Sequence, residues 1–240
     1  MYDNDFALEK EKSLSINMPG MMKDVYAWMA IALVVTGFTA YTVADYPVIQ
    51  SIFMGGRFRI IFLMMATFAL VWHLNTSIRT MGLKKAAVMF LVYSVLNGIT
   101  LSSIFLVYTM SSIANAFFLT AGMFGIMSVY GYVTKSDLSK VGNLCLMGLV
   151  GLILSTLISF FFATPFFEML ISYAGVLIFM GLTVYDTNKI KKLALTYHSR
   201  ATDEGQKLAI LGALMLYLDF INLFLYLLRI FADRKKVEIF

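Results

Sequence analysis

The chain has 240 residues, 60% hydrophobic and 14% charged, with a mean hydropathy of +0.81. A soluble domain is about 45–50% apolar and about 25% charged, so a soluble fold would have too little polar surface to cover this apolar volume. The same numbers exclude disorder, a collagen-like repeat and a coiled coil. The net charge of +5 sits in short segments between apolar runs and not on a basic, aromatic-studded module. That excludes nucleic acid as a partner and points to membrane lipids of an anionic leaflet.

Residues 1–22 form a polar tail that alternates acidic and basic side chains, among them Asp3, Asp5, Glu9, Lys10, Glu11 and Lys12. The tail lacks the basic-then-apolar order of a signal peptide, so the first span is expected to serve as its own insertion signal. A span needs about 20 mostly apolar residues. Seven such runs lie within residues 23–231, at 25–45, 59–78, 86–108, 113–133, 143–163, 168–189 and 208–230, and 232–240 is a short C-terminal tail. The expected fold is therefore an all-α integral membrane protein with seven transmembrane helices.

The breaks carry turn chemistry. Pro47 with Gly55 and Gly56 closes the first span, and the stretch from Arg79 to Lys85 separates the second and third. Residues 108–112 make a minimal turn, Thr134 to Asp137 offers cap side chains, and Thr164-Pro165 divides the fifth span from the sixth. The longest break runs from Lys191 to Lys207. Most of the Lys and Arg fall in the N-terminal tail and in loops 2–3, 4–5 and 6–7, which predicts a cytoplasmic N-terminus. Basic residues in the C-terminal tail pull the other way, and a cytoplasmic tail would require one re-entrant span. Small residues four apart (Ala121 with Gly125, Gly151 with Ser155, Ala209 with Ala213) mark expected close helix approaches. Aromatic residues near span ends, such as Trp72 and Tyr130, suit interface anchors, and the Met and Phe stripes suit lipid-facing or core filling. Cys145 is the only cysteine, so no intrachain disulfide can form, and it reads as packing.

Ionisable residues inside a span are costly, at least about 2.5–3.5 kcal/mol on insertion scales, and mark function by default. Asp219 stands deep in span seven and Asp186 about one turn from the basic end of span six. Burial disfavours charge and mutual repulsion disfavours two charges together, so two carboxylates on adjacent helices favour one shared proton. Such a pair is a proton sensor: the shared proton holds the helices together and its loss drives them apart. The depths do not match at once, because Asp219 lies roughly 18 Å along the helix from Lys207 and Asp186 is close to its boundary. Contact requires span seven to begin well inside the cytoplasm, or a water-filled vestibule. The alternative is Asp219 as structural glue between helices. Arg79 ends span two on the same side, as a latch on the carboxylates or as a positive-inside anchor. Asn222, Asn188 and Asn97 add oxygens that a hard cation accepts, and Glu168 at the start of span six is a further candidate ion contact. Ca²⁺ takes about 6–8 oxygens, so Asp186 and Asp219 alone would hold it weakly and transiently, which suits permeation. No cofactor is expected to bind stably.

Three segments resemble the Bax inhibitor-1 family, in its bacterial type. They are Gly131 to Ser139 after the fourth span, Tyr185-Asp186-Thr187-Asn188-Lys189-Ile190, and Leu216-Tyr217-Leu218-Asp219-Phe220-Ile221-Asn222-Leu223-Phe224. In the second, Asn188 replaces the family's glutamine. The resemblance implies a seven-helix bundle with the last helix central, in a bacterial inner membrane, and a pH-sensitive calcium leak. It implies that Asp186 and Asp219 are the two-aspartate pH sensor and that Arg79 engages them when the pore is shut. Bacterial relatives are also linked to membrane proteolysis, so a non-conducting regulator of a membrane protease or another membrane protein is the alternative, beside a proton-coupled transporter. Enzymatic readings fail on the residues. Tyr217-Leu218 stand where an intramembrane aspartyl protease needs Gly-x-Gly before its aspartate, and His73 has no Gly-x-Ser partner.

Overall fold

A computed structural model of the chain describes residues 2–46, 48–49, 51, 56–78, 80–159, 161, 164–196 and 202–232, with side chains from Gly20 onward except those of Arg57, Ile60 and Thr196. The helices are α1 (Tyr2–Asp45), α2 (Arg57–Ser77), α3 (Leu83–Leu101), a short α4 (Ile104–Val107), α5 (Met110–Val133), α6 (Ser139–Ser159), α7 (Pro165–Thr196) and α8 (Asp203–Phe231). Six described stretches are long and apolar enough to cross a membrane: Gly20–Asp45, Leu83–Val107, Met110–Val133, Ser139–Ser159, Pro165–Leu195 and Asp203–Phe231. The run expected as the second span forms α2, 21 residues long, within which Ile61–Ser77 is a continuous apolar stretch. Among the described residues these six stretches match six of the seven expected spans, and α2 stands where the second was expected. The N-terminal tail, expected as a polar appendage, is helical and continuous with the first span.

The boundaries follow local chemistry. Thr109 caps α5, its Oγ1 accepting the Ser112 N–H at 3.3 Å. Asp137 Oδ1 accepts the N–H and the hydroxyl of Ser139 at 3.1 and 2.7 Å and so opens α6. Thr164 Oγ1 accepts the Phe167 N–H at 3.2 Å, and Pro165 takes the first helical position, where its missing N–H costs nothing. The α3–α4 span is interrupted at Ser102, whose hydroxyl donates to the Ile99 carbonyl at 2.7 Å.

The chain forms two compact units. One comprises residues up to Phe105 together with Ile190–Leu214, and the other Leu106–Lys189 together with Met215–Phe240. In the first, α1 packs closely on α3: Gly98 abuts the Thr36 carbonyl oxygen and the Thr39 side chain, and the Thr36 hydroxyl donates to the Ser94 carbonyl at 3.0 Å. Val43, Leu63 and Ile99 form an apolar cluster in this unit. In the second, α5, α6, the body of α7 and the C-terminal part of α8 meet. Phe117 and Phe124 of α5 each place their ring 5.5 Å from that of Phe220 of α8. Phe179 of α7 stacks on Tyr226 of α8 at 5.9 Å.

Helix α8 is the most buried of the long spans, at 78% of its apolar window against 11–44% for the others. The remaining spans present large apolar side chains outward, among them Phe38, Phe62, Trp72, Phe118, Met147 and Leu177. A lipid environment accounts for that surface, because aqueous proteins rarely expose such continuous apolar area.

Candidate functional site

In the second unit α7 and α8 are consecutive helices, and their register can be read from the Phe179–Tyr226 stack. Asp186 lies two turns beyond Phe179 along α7, and Asp219 two turns before Tyr226 along α8. For antiparallel neighbours these steps run the same way, about 10 Å each, and return to the same helix face. The two aspartates therefore share one level, and Asp219 lies within Coulombic range of Asp186. The apparent depth mismatch disappears because α7 continues past Asp186 to Thr196 and α8 starts at Asp203, before Lys207.

The environment of the pair is asymmetric. Asp219 is 4% exposed, and its Oδ2 has no hydrogen-bond partner among the described residues. Asp186 is half-buried, and Lys189, one turn further along α7, attracts its carboxylate. The Lys189 Nζ lies 5.7 Å from the centre of the Tyr185 ring, and that ring fills the space over Gly142 of α6. Asp219 also acts electrostatically on Cys145 of α6, which packs against Gly181 of α7.

Two further polar side chains on these helices are orphaned, and neither was singled out as a site residue from the sequence. The hydroxyls of Ser128 on α5 and Thr187 on α7 are buried without a hydrogen-bond partner among the described residues, like Asp219 Oδ2. Ser128 lies one turn after Phe124, which packs on Phe220, and one turn before Gly131, which abuts Val184 and Thr187. It thus lies on the stretch of α5 that meets α7 and α8. Orphaned oxygens are exceptional inside proteins, where each costs about 1–3 kcal/mol. Three such oxygens, on α5, α7 and α8, fall within the second unit.

The other candidates fall elsewhere. Asn188 is buried and donates to the Gly131 carbonyl at 3.1 Å, tying α7 to α5. Asn222 turns back on its own helix, donating to the Leu218 carbonyl at 2.8 Å. Asn97 belongs to the other unit and donates to the Tyr93 carbonyl at 3.3 Å. Glu168 is on α7 but about 27 Å along the helix from Asp186, so it is not part of the aspartate site. Arg79 lies outside the described residues. Among the described residues no group of three or more His, Cys, Asp or Glu gathers as a metal site. Hard oxygen donors on these helices include the two carboxylates and the Ser128 and Thr187 hydroxyls.

These features define a polytopic, all-helical membrane protein whose last two helices carry a carboxylate pair, Asp219 buried and Asp186 half-buried. The family described as "Inhibitor of apoptosis-promoting Bax1" matches residues 18–236. The chain is 45% identical over 214 residues to the inner membrane protein YbhL of Escherichia coli, covering 89% of this chain and 92% of that protein. It is 38% identical over 232 residues to a protein of Borreliella burgdorferi, covering 97% and 99%. A Rickettsia prowazekii protein is 40% identical over 228 residues, covering 94% of each. The chain belongs to the Bax inhibitor-1 family, as a bacterial-type member.

Proposed function

We propose that this chain is a pH-sensitive calcium leak channel, gated by a proton shared between Asp186 and Asp219, with Arg79 as a cationic latch. The observation that carries this reading is the buried Asp219 carboxylate, lacking a hydrogen bond on one oxygen and facing the charge of Asp186. Truly buried charge without a partner is too costly to persist, so the pair must exchange protons, recruit a cation or separate. Each response couples occupancy of the site to the packing of α7 against α8. The hydroxyls of Ser128 and Thr187 supply neutral oxygens to receive a dehydrated cation between carboxylates. In this reading the N-terminus is cytoplasmic, the chain is not an enzyme, and calcium and protons pass without a resident cofactor.

Reconstituted flux separates the leak from its alternatives. A leak carries Ca²⁺ down its gradient with no coupled substrate, a proton-coupled transporter requires one, and a pure regulator of a membrane protease carries nothing. In the same vesicles Arg79→Gln is expected to raise basal Ca²⁺ efflux by about tenfold, the equivalent of one lost charge-assisted contact of roughly 1.4 kcal/mol. Efflux equal to wild type would make Arg79 an orientation anchor only.

Ser128→Ala and Thr187→Val test these hydroxyls. Removing an unsatisfied hydroxyl should leave thermal stability unchanged or raise it by up to about 1–3 kcal/mol. Efflux should nevertheless fall in both variants. Preserved efflux alongside preserved folding would remove these hydroxyls from the ion path.

A further inference from the structure

At the end of α7 far from the aspartates, the opening turns of α7 (Pro165 to Tyr173) and the last turn of α8 line a cavity of about 530 Å³. It is lined by Thr164, Glu168, Ser172, Tyr173, Arg229 and apolar neighbours. The volume falls within the range of small-ligand sites, about 300–1,000 Å³. One carboxylate and one guanidinium face the same space, and no ion pair joins Glu168 to Arg229 among the described residues. Arg229 instead lies 5.9 Å over the Tyr226 ring, itself stacked on Phe179. Ser172 is occupied, its hydroxyl donating to the Glu168 backbone carbonyl at 2.8 Å, so the Glu168 side chain is not needed to hold the helix.

We infer that this cavity binds the headgroup of a zwitterionic phospholipid carrying a primary ammonium, as in phosphatidylethanolamine. The phosphate meets Arg229, and the ammonium donates to Glu168. Two opposite charges held apart in one cavity match a ligand that carries both, whereas an anionic glycerol headgroup would face the Glu168 carboxylate without compensation. The surroundings select a lipid over a soluble zwitterion. Phe166, Met169, Leu170, Tyr173 and Phe231 expose large apolar surface around the site, where acyl chains would lie. Both charged residues stand at span ends, the depth at which Arg stems snorkel and headgroups sit. This site is independent of the leak, because none of its residues is among Asp186, Asp219, Ser128 and Thr187.

The test is native mass spectrometry of the full chain in detergent, titrated with short-chain phosphatidylethanolamine or phosphatidylglycerol. Wild type should bind the former about tenfold tighter, as one charge-assisted contact implies. Glu168→Gln, a near-isosteric change that leaves the Ser172 bond intact, should abolish that preference. Arg229→Gln should weaken both lipids. Free phosphoethanolamine, added at concentrations equal to the lipid, should fail to displace it. Equal binding of the two lipids by wild type, or a preference that survives Glu168→Gln, would overturn the assignment. Displacement by free phosphoethanolamine would also overturn it, by showing that the acyl chains contribute nothing. Should Arg229→Gln not fold, Glu168→Gln alone decides.

Discussion

Asp219→Asn is expected to flatten the pH dependence of Ca²⁺ efflux from reconstituted vesicles. A single controlling proton changes the open-to-shut ratio by up to about tenfold per pH unit over its titration range. Wild-type efflux should therefore vary by about that factor across roughly two pH units. Asparagine keeps the shape and the hydrogen-bonding capacity of the side chain but cannot take part in the shared titration. The variant should retain folding, since a buried charge is replaced by a neutral isostere, and efflux should become nearly constant with pH. A variant whose efflux keeps the wild-type pH profile would remove Asp219 from the sensor and leave it as a packing residue. A wild type that carries no calcium at any pH would favour the regulator reading.

The largest stability effect is expected at Gly131. A Cβ there would collide with the Val184 carbonyl oxygen and crowd Thr187, both on α7. The obstacle is backbone and cannot rotate away, so Gly131→Ala should cost about 1–3 kcal/mol or more through forced helix displacement. Gly125 is the control on the same helix, where an added methyl would meet nothing within 4 Å. Gly125→Ala should stabilise by about 0.5–1 kcal/mol, because alanine loses less backbone entropy in a helix. Thermal unfolding of the two variants in one detergent checks both directions. Equal melting temperatures would show that α5 and α7 do not pack closely at Gly131.

That pair of glycines also marks what the sequence could and could not reveal. Four-residue spacing singled out Gly125 and Gly151, yet both face open space, while Gly98, Gly131, Gly142, Gly175 and Gly181 take the tight contacts. Spacing along one helix records a groove but not which groove a neighbour enters. Of the spaced pairs, only Ala209 and Ala213 are deeply buried together. The spans themselves were legible because lipid imposes long apolar runs, and the turns at Thr109, Asp137 and Thr164-Pro165 because their side chains satisfy the first N–H groups of the next helix.

The level of Asp186 was not legible in the same way. Hydropathy ends span six near Lys189, whereas α7 runs on to Thr196. Apolarity marks where a helix leaves the bilayer, and Lys191 and Lys192 are good helix formers that carry it further. Ser128 and Thr187 were invisible for a subtler reason. Serine and threonine in these spans mostly return their hydroxyl to the previous turn, as Thr120 does to Ala116, Thr156 to Leu152 and Thr183 to Phe179. Only three-dimensional packing distinguishes Ser128 and Thr187, whose hydroxyls find no partner among the described residues.

The central claim is that Asp186 and Asp219 titrate as one unit. Infrared difference spectroscopy of the protonated carboxyl stretch, followed against pH in wild type, Asp186→Asn and Asp219→Asn, reads that directly. Removing either aspartate is expected to shift the titration of the one that remains. Two bands that titrate independently, each unmoved by loss of the other residue, would contradict it.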